Sequence, residues 1–431
     1  MGREGRDEFN EDIAPLKSDE YTMGLSCLLQ ARETSNKVNY IPPKWANKYT
    51  KDSFPMRLNF DTPQSWANDN YWWMELGGVY NSIEDTENLR DELLKVAFGV
   101  WDFIKNSGCC DAENWDVEWV GFLPGKRESR RYVGDYILTQ NDVRAEGRFD
   151  DLVAYGGWSM DDHHPEGFET KEAPTIFHPA PSPYGIPYRC LYSKNIKNLM
   201  FAGRNISTTH SAMSSYRVMA TCGMIGQAMG TAAAIAISKG LLPHDIYLKN
   251  INVLKKALLD DDCYLPWNKR EIPFLTKDAV ITANQGDVSM LLNGIERPVD
   301  GQENAWEAPI GTQIQLDFKN VKHIKTARIV FDSDLNRKSW GGNIKWYLRD
   351  FPMRCNIFLG DKSVDVPKTL VRQFIIEVDV GDGIWHTVYA EDNNYQRLVR
   401  IPINCLAQRI RLTPQETWGN HTVRLFAFDV E

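Results

Sequence analysis

Apolar residues recur along this chain with two different periods, and the change from one to the other near Ala279 divides it. In TENLRDELLKVAFGVWDFIKN, from Thr86 to Asn106, Leu89, Leu93, Val96, Val100 and Ile104 fall on one stripe at helical spacing. Asp85 or Thr86 can cap the start, so the pattern predicts an amphipathic, core-facing helix. Beyond Ala279 the helical period gives way to short alternating runs, TQIQLDF, TARIVFDS, QFIIEVDV, WHTVYAED, QRIRLTP and TVRLFAFDV, separated by turn residues. Many short strands with regular turns predict an antiparallel sandwich.

The first part of the chain is mixed. A short charged helix is expected near the start, YTMGLSCLLQARET reads as a strand through Met23, Leu25, Cys27, Leu28 and Leu29, and Tyr132 to Leu138 reads as another. From Tyr40 to Gly78 the chain is rich in proline and aromatics, including Trp45, Trp66, Trp72 and Trp73. This predicts irregular packed structure, with a sugar platform as the alternative, and Glu75 beside it is either a functional carboxylate or a satisfied partner.

The segment Asn198 to Gly240 organises the rest. Leu199, Met200, Phe201 and Ala202 form an apolar run of the length of a strand buried on both faces, and Gly203 ends it with a residue that tolerates positive φ. After a polar stretch, Ser214 or Ser215 can cap a helix that ends at Gly240. Along it Ala220, Gly223, Gly226, Gly230 and Ala234 recur at spacings of three and four, leaving one face nearly bare. Glycine inside a helix costs roughly 0.5–1 kcal/mol relative to alanine, so this face calls for close packing against a sheet or a cofactor. Polar flanks and the interrupting Arg217 and Gln227 argue against a membrane span. A strand, a glycine turn and a helix N-terminus can present N–H groups to an anionic or electron-rich ligand, and an ordinary crossover has the same outline.

The wording NLMFAGRNIS followed by HSAMSSYRVMATCGMIGQAMGTAAA resembles the C-terminal flavin-contacting segment of FAD-dependent oxidoreductases with a two-part dinucleotide-binding domain. The resemblance implies FAD as cofactor, with Gly203, Arg204, Asn205, Ser214, Ser215 and Gly223 along the flavin and its ribityl-pyrophosphate arm. It also implies that MGREGRDEF follows directly on a first dinucleotide-binding half, whose GxGxxG turn is not found in these 431 residues. A missing N-terminal half or an oligomer partner is therefore expected. The motifs LLNGIERPVDGQENAWEAP, IVFDSDLNR and RIRLTPQETWGNHTVRLFAFDV resemble a galactose-binding-like (discoidin, or F5/8 type C) jelly roll. Such modules bind carbohydrate or serve structure alone; Trp306, Trp340, Trp346 and Asn336 are the sugar-binding candidates.

Charge and composition narrow the partners. A formal charge of -9 and the absence of a dense basic run beyond GKRESRR at 125–131 exclude a phosphate-gripping nucleic-acid binder. Arg127, Arg130 and Arg131 in that loop can clamp an anion or pair with carboxylates. Eight cysteines are scattered without a CxxC pair, as neither a zinc ribbon nor a disulfide scaffold would have them. The first residues carry no secretory signal pattern, and localisation stays open.

Residues 150 to 190 gather His163, His164, Glu166, His178, Tyr188 and Arg189 among glycines and prolines. A histidine near its ordinary pKa can take a hydroxyl proton while hydride leaves the adjacent carbon for flavin N5. Loop capping is the alternative; a metal site is the weaker one, because no HxH or HxxxH spacing supports it. His210 and Arg217 flank the helix start, where the resemblance places the flavin ring.

The expectation is thus an α/β partial FAD/NAD(P)-binding fold with a mixed α+β substrate region, plus a C-terminal all-β jelly-roll sandwich. Its parts are a substrate-side region at 1–190, a flavin-contacting strand, turn and helix at 191–245, a helical connector at 246–278 and the sandwich at 279–431. The expected activity is oxidation of a hydroxylated small molecule, possible carbohydrates included, with His163, His164 or His210 as base and Arg189 or Arg217 orienting the substrate. No metal, nucleic acid or membrane partner is expected. The alternatives are a non-redox carbohydrate-binding or interaction protein with a degenerate flavoprotein remnant and, more weakly, a polysaccharide lyase.

Overall fold

A computed structural model describes residues 1–54, 71–335 and 365–431. Trp66, Asn336, Trp340 and Trp346 lie outside the described residues. The chain divides into two units, Met1–Leu258 with Tyr264–Pro266, and Leu259–Cys263 with Trp267–Glu431.

The first unit carries the short helix α1 (Arg6–Phe9), the long helix α2 (Thr86–Asn106), α3 (Gln140–Arg144), α4 (His210–Tyr216) and α5 (Met219–Lys239). Helix α2 buries the predicted stripe, Leu89, Leu93, Val96, Val100 and Ile104. The stripe packs with Leu25, Cys27, Trp73 and Met74 in one cluster. Each such side chain contributes about 1.5–3 kcal/mol when fully buried, which outweighs the modest intrinsic preference of β-branched residues against helix.

The strands of this unit are short and antiparallel. β1 (Leu25–Ser26) lies between β3 (Glu75–Leu76) and β5 (Gly125–Lys126). Three further pairs join β2 (Leu29–Glu33) to β4 (Trp115–Val120), β6 (Leu152–Gly156) to β9 (Tyr184–Pro187), and β7 (Met160–His163) to β8 (Thr175–His178).

Two predicted strands do not form. Leu199 to Ala202 makes one isolated bridge, Met200 to Tyr192, and Leu199 remains 38% exposed. Tyr132 to Leu138 has only the bridge from Leu138 to Thr208. An apolar run becomes a ladder strand only where neighbours supply its N–H and C=O partners, and among the described residues neither run has a continuous neighbour.

The second unit is built on antiparallel strands, with a short helix at Phe274–Asp278, and its strands wrap a large apolar core. The strands are β10 (Val280–Ala283), β11 (Trp306–Pro309), β12 (Ile314–Phe331), β13 (Val371–Asp379), β14 (His386–Glu391), β15 (Leu398–Thr417) and β16 (Thr422–Val430). Their order is β11-β16-β12-β15-β13-β14, with β10 on the other part of β12. The runs TQIQLDF and TARIVFDS are two parts of the single bent strand β12. Its register with β15 shifts between Asp317 and Lys322, and such irregularities let one long strand turn a corner. Trp306, Phe331, Phe374 and Phe428 fill the core. Trp306 is therefore not a sugar platform: it is fully buried, and its indole N–H donates to the Gln285 carbonyl at 2.9 Å.

Candidate functional site

Gly203 sits at φ +84°, in the region that L side chains rarely adopt, at the turn before α4. A Cβ placed there would meet no atom of the described residues within 4 Å, so the turn opens outward. Its neighbour Arg204 anchors the turn: the Arg204 carbonyl accepts from Tyr216 Oη at 2.6 Å, and the guanidinium donates to the Lys126 carbonyl. Arg204 Nε is buried without a hydrogen-bond partner among the described residues. Asn205 continues the turn, its carbonyl accepting from Tyr132 N at 3.4 Å.

The predicted single helix is two, and this changes the role of the serines. Thr209 caps α4, its side chain accepting from Ala212 N. Ser214 and Ser215 lie inside α4 and are fully buried. Ser214 Oγ donates to the Ser211 carbonyl at 2.6 Å, and Ser215 Oγ to the Trp158 carbonyl at 2.5 Å. Neither serine caps the long helix, because both hydroxyls are used inside the protein. That helix, α5, starts afresh after extended Val218, which provides no side-chain cap. Its first N–H groups and its positive dipole end stay available, and Met219 beside them is 89% exposed.

Helix α5 has two apolar faces of opposite fate. Thr221, Ile225, Ala228, Met229, Ala232 and Ala236 are buried. On the other side nothing among the described residues lies within 4 Å of a Cβ built at Gly223, Gly226 or Gly230. The helix is long and apolar enough to cross a bilayer by length and composition alone, and about a third of its apolar window, 33%, is buried within the protein.

The first unit also holds a buried network of alternating charge. β7 carries Asp161, Asp162 and His163, and the two-residue period of a strand sends Asp161 and His163 one way and Asp162 the other. On the first side His163 Nδ1 is 2.6 Å from Glu75 Oε2, and His163 Nε2 is 3.3 Å from Asp161 Oδ2. Arg127 Nη1 approaches the same Glu75 oxygen at 3.2 Å. Arg217 Nη2 reaches Asp161 Oδ2 at 3.4 Å, and the edge of Trp72 closes over His163 with ring centroids 5.2 Å apart. Burial pushes the Glu75 carboxyl up, but Arg127 and His163 outweigh it and hold the group below its ordinary range. Burial, reinforced by neighbouring Arg127, makes the Arg217 guanidinium easier to deprotonate than usual.

On the other side His210 lies between two carboxylates. Its Nδ1 is 2.9 Å from Glu128 Oε2, and its Nε2 is 3.1 Å from Asp162 Oδ1. Burial opposes a charged ring, yet Glu128 and Asp162 prevail and push the His210 pKa up to about 9. The expectation of His210 as a base gives way here: a ring that already holds its proton at neutral pH cannot accept another.

The other candidates are scattered. His164 lines a cleft of about 360 Å³ together with Asp162, His163 and Arg3. Arg189 is remote from this cluster in its contacts. It forks onto Asp151, with Nε and Nη2 each 3.0 Å from a carboxylate oxygen, and lies between the rings of Tyr136 and Tyr247. These contacts make it a structural clamp rather than a substrate-orienting arginine. The strand alternation also divides the DDHH run, and among the described residues no group of three His, Cys, Asp or Glu side chains is placed to hold a metal ion.

Sequence reasoning missed Glu128, Asp161 and Asp162 as partners of histidine. The one available signal was the alternation of acids and histidines in MDDHH if read as a strand.

Comparison with known proteins bears on this geometry. The family model described as FAD dependent oxidoreductase matches residues 1–258. The chain belongs to that family. No curated protein matches this chain. Among solved structures it is similar to a chitosan-binding module of a chitosanase/glucanase from Paenibacillus sp. IK-5, at 12% identity and TM-score 0.25, over 36% of this chain and 97% of that one. It is also similar to the family 32 module of NanJ from C. perfringens solved with galactose, at 8% identity and TM-score 0.24, over 36% of this chain and 94% of that one. A third is the family 32 carbohydrate-binding module of EndoD from Streptococcus pneumoniae, at 11% identity and TM-score 0.26, over 37% of this chain and 97% of that one.

Within this FAD dependent oxidoreductase, the residues around Gly203 fit the implied cofactor. Among the described residues, nothing fills the space beside the main chain at Gly203, Gly223, Gly226 or Gly230, and the buried Arg204 Nε is an unused donor.

Proposed function

We propose that the first unit is the flavin-facing and substrate-facing part of an oxidoreductase acting on a hydroxylated, carbohydrate-like substrate. The observation that carries this reading is the open space at the Cβ positions of Gly203 and, on α5, of Gly223, Gly226 and Gly230. FAD bound there would supply a hydride acceptor at N5. Gly203, Arg204, Asn205, Gly223 and the uncapped start of α5 would hold it, with Ser214 and Ser215 supporting the turn from behind. The same helix end would favour negative charge near it.

Proton handling falls to His163. Glu75 Oε2 at 2.6 Å from Nδ1 and Asp161 Oδ2 at 3.3 Å from Nε2 hold its ring in place. His163 lines the 360 Å³ cleft, so a substrate hydroxyl in that cleft could give its proton to it. His164 on the same wall is the second candidate for this role. Arg217, tied to Asp161, orients the substrate. His210 keeps its proton and offsets the charge of Glu128 and Asp162.

Titration of the whole chain with FAD tests the reading, alone and with a glycine-rich dinucleotide-binding half supplied in trans. Perturbed flavin absorbance that is lost in Gly226→Leu supports it. No perturbation in either format, or perturbation unchanged by Gly226→Leu, rejects it.

A second, non-redox reading is favoured by one feature of the sandwich. Tyr395, 57% exposed, packs on Trp418 with ring centroids 4.6 Å apart, and Arg372, paired with Glu416 at 3.3 Å, lies 5.0 Å from the Trp418 ring centroid. An exposed aromatic beside a cation can stack on a sugar. Glycan binding by the whole chain that disappears in Tyr395→Ala supports this reading; binding that persists unchanged rejects it.

A further inference from the structure

A second cleft of the first unit, about 730 Å³, runs along α2. Its floor is apolar and includes Leu89 and Phe168, both buried. Tyr49 stands beside them with its ring centroid 5.2 Å from that of Phe168, and its hydroxyl accepts from Asn47 Nδ2 at 2.9 Å. Among the described residues its lining includes the carboxylates of Asp85, Glu92 and Glu169 and no lysine, arginine or histidine. Two of these carboxylates are already engaged. Asp85 accepts from Asn81 N at 3.1 Å, and Glu92 pairs with Lys95 at 2.6 Å. Glu169 is exposed and has no cation partner among the described residues, and its charge reinforces burial in raising the Tyr49 pKa.

The shape and the charge point to one kind of ligand. Pockets of roughly 300–1,000 Å³ with an apolar lining and a few polar groups are typical of small-molecule sites. An apolar floor suits the C–H face of a pyranose, and the Asn47 and Tyr49 pair can meet its hydroxyls. An acidic lining in which Glu169 has no cation partner among the described residues repels carboxylated sugars and attracts an ammonium group.

We propose that this cleft binds an amino sugar, its apolar face on Leu89 and Phe168 and its ammonium toward Glu169. The proposal goes beyond the flavin reading and stands without it, since none of these residues belongs to the surface around Gly203.

The test is titration of the whole chain, by calorimetry or ligand-observed NMR, with a glucosamine disaccharide, the glucose disaccharide of the same linkage and the corresponding uronic acid. An exposed charge pair is worth up to about 1 kcal/mol, so the amine should bind about fivefold more tightly than the neutral sugar. The uronic acid should bind more weakly than either. Glu169→Gln should reduce the amine to the affinity of the neutral sugar. Asn88→Trp, on the exposed rim, should block both, with circular dichroism confirming an unchanged fold. Two results overturn the proposal: no detectable binding of the amine, or amine binding that both variants leave untouched, which would place the sugar elsewhere on the chain.

Discussion

His163 Nδ1 lies 2.6 Å from Glu75 Oε2, joining β7 to a residue of β3 that stands 88 positions earlier in the chain. Both side chains are almost wholly buried, and Glu75 also faces Arg127. Removing one member of such a group leaves the others as buried, uncompensated charge. Glu75→Gln should therefore destabilise the first unit by about 3 kcal/mol, the low end for breaking a buried pair. Urea unfolding should show a lower midpoint with an unchanged slope. A midpoint within error of the parent would mean that the pair contributes nothing.

The carboxylates around His210 make a pH prediction with a definite sign. Its folded pKa of about 9 stands above the ordinary value of 6.5. The resulting stabilisation is complete below about pH 6.5 and is lost as pH rises through about 9. At 1.36 kcal/mol per pKa unit the contribution is about 3 kcal/mol. Stability should fall across that interval, and His210→Gln should remove the fall. A His210 resonance that titrates near pH 6.5 in NMR would contradict the prediction.

Glycine on the open face of α5 should be costly for folding and useful for binding. A Cβ at Gly226 meets nothing, so Gly226→Ala gains helix propensity of roughly 0.5–1 kcal/mol without a clash. The variant should melt at a higher temperature and take up FAD less well. Loss of both stability and FAD uptake would point instead to a packing role. Gly203→Ala differs in sign for stability, because φ is +84° there.

In the second unit, Glu296 and Asp429 share buried arginines but respond oppositely to pH. Glu296 accepts from Arg270 Nε and Arg328 Nη1, each at 2.6 Å, and from Arg328 Nη2 at 2.8 Å. Burial raises its pKa, but the two arginines more than reverse this, so its stabilisation is lost as pH falls. For Asp429 burial dominates over the same arginines and pushes the pKa up to about 6. Its charged form is disfavoured in the folded state, so this group's contribution declines as pH rises from about 4 to 6. At pH 7, Glu296→Gln should cost about 3 kcal/mol, and Asp429→Asn should cost clearly less. Thermal unfolding of both variants at pH 5 and 7 measures the contrast; equal losses at pH 7 would refute it.

The parts of the fold that could be read from sequence share a local cause. The stripe Leu89, Leu93, Val96, Val100 and Ile104 lies within one helix, and its spacing already states which face is buried. The run QFIIEVDV alternates along β13 in the same self-contained way, whereas TVRLFAFDV forms β16 with Leu425 to Val430 all buried. What failed depended on distant neighbours. Leu199 to Ala202 has the composition of a strand but only one bridging partner, and Ser214 and Ser215 have the chemistry of caps but lie inside a helix capped by Thr209. The candidate site was half legible: His163, Arg217 and Gly203 stood out as residue types. Glu128 and Asp162 did not, because nothing near them in sequence announces His210 as their partner.

The sequence by itself determined the change from helical to alternating period, the long helix over Thr86–Asn106, and a second helix with one face nearly bare of side chains. These follow from spacing, which acts over one or two turns of helix or a few residues of strand. Only the tertiary structure decided that this bare face stays open, that Arg189 is held by Asp151, and that His210 lies between two carboxylates. Desolvation and charge pairing are set by whatever the fold brings within a few ångströms, and residues separated by 88 positions in sequence meet only after folding.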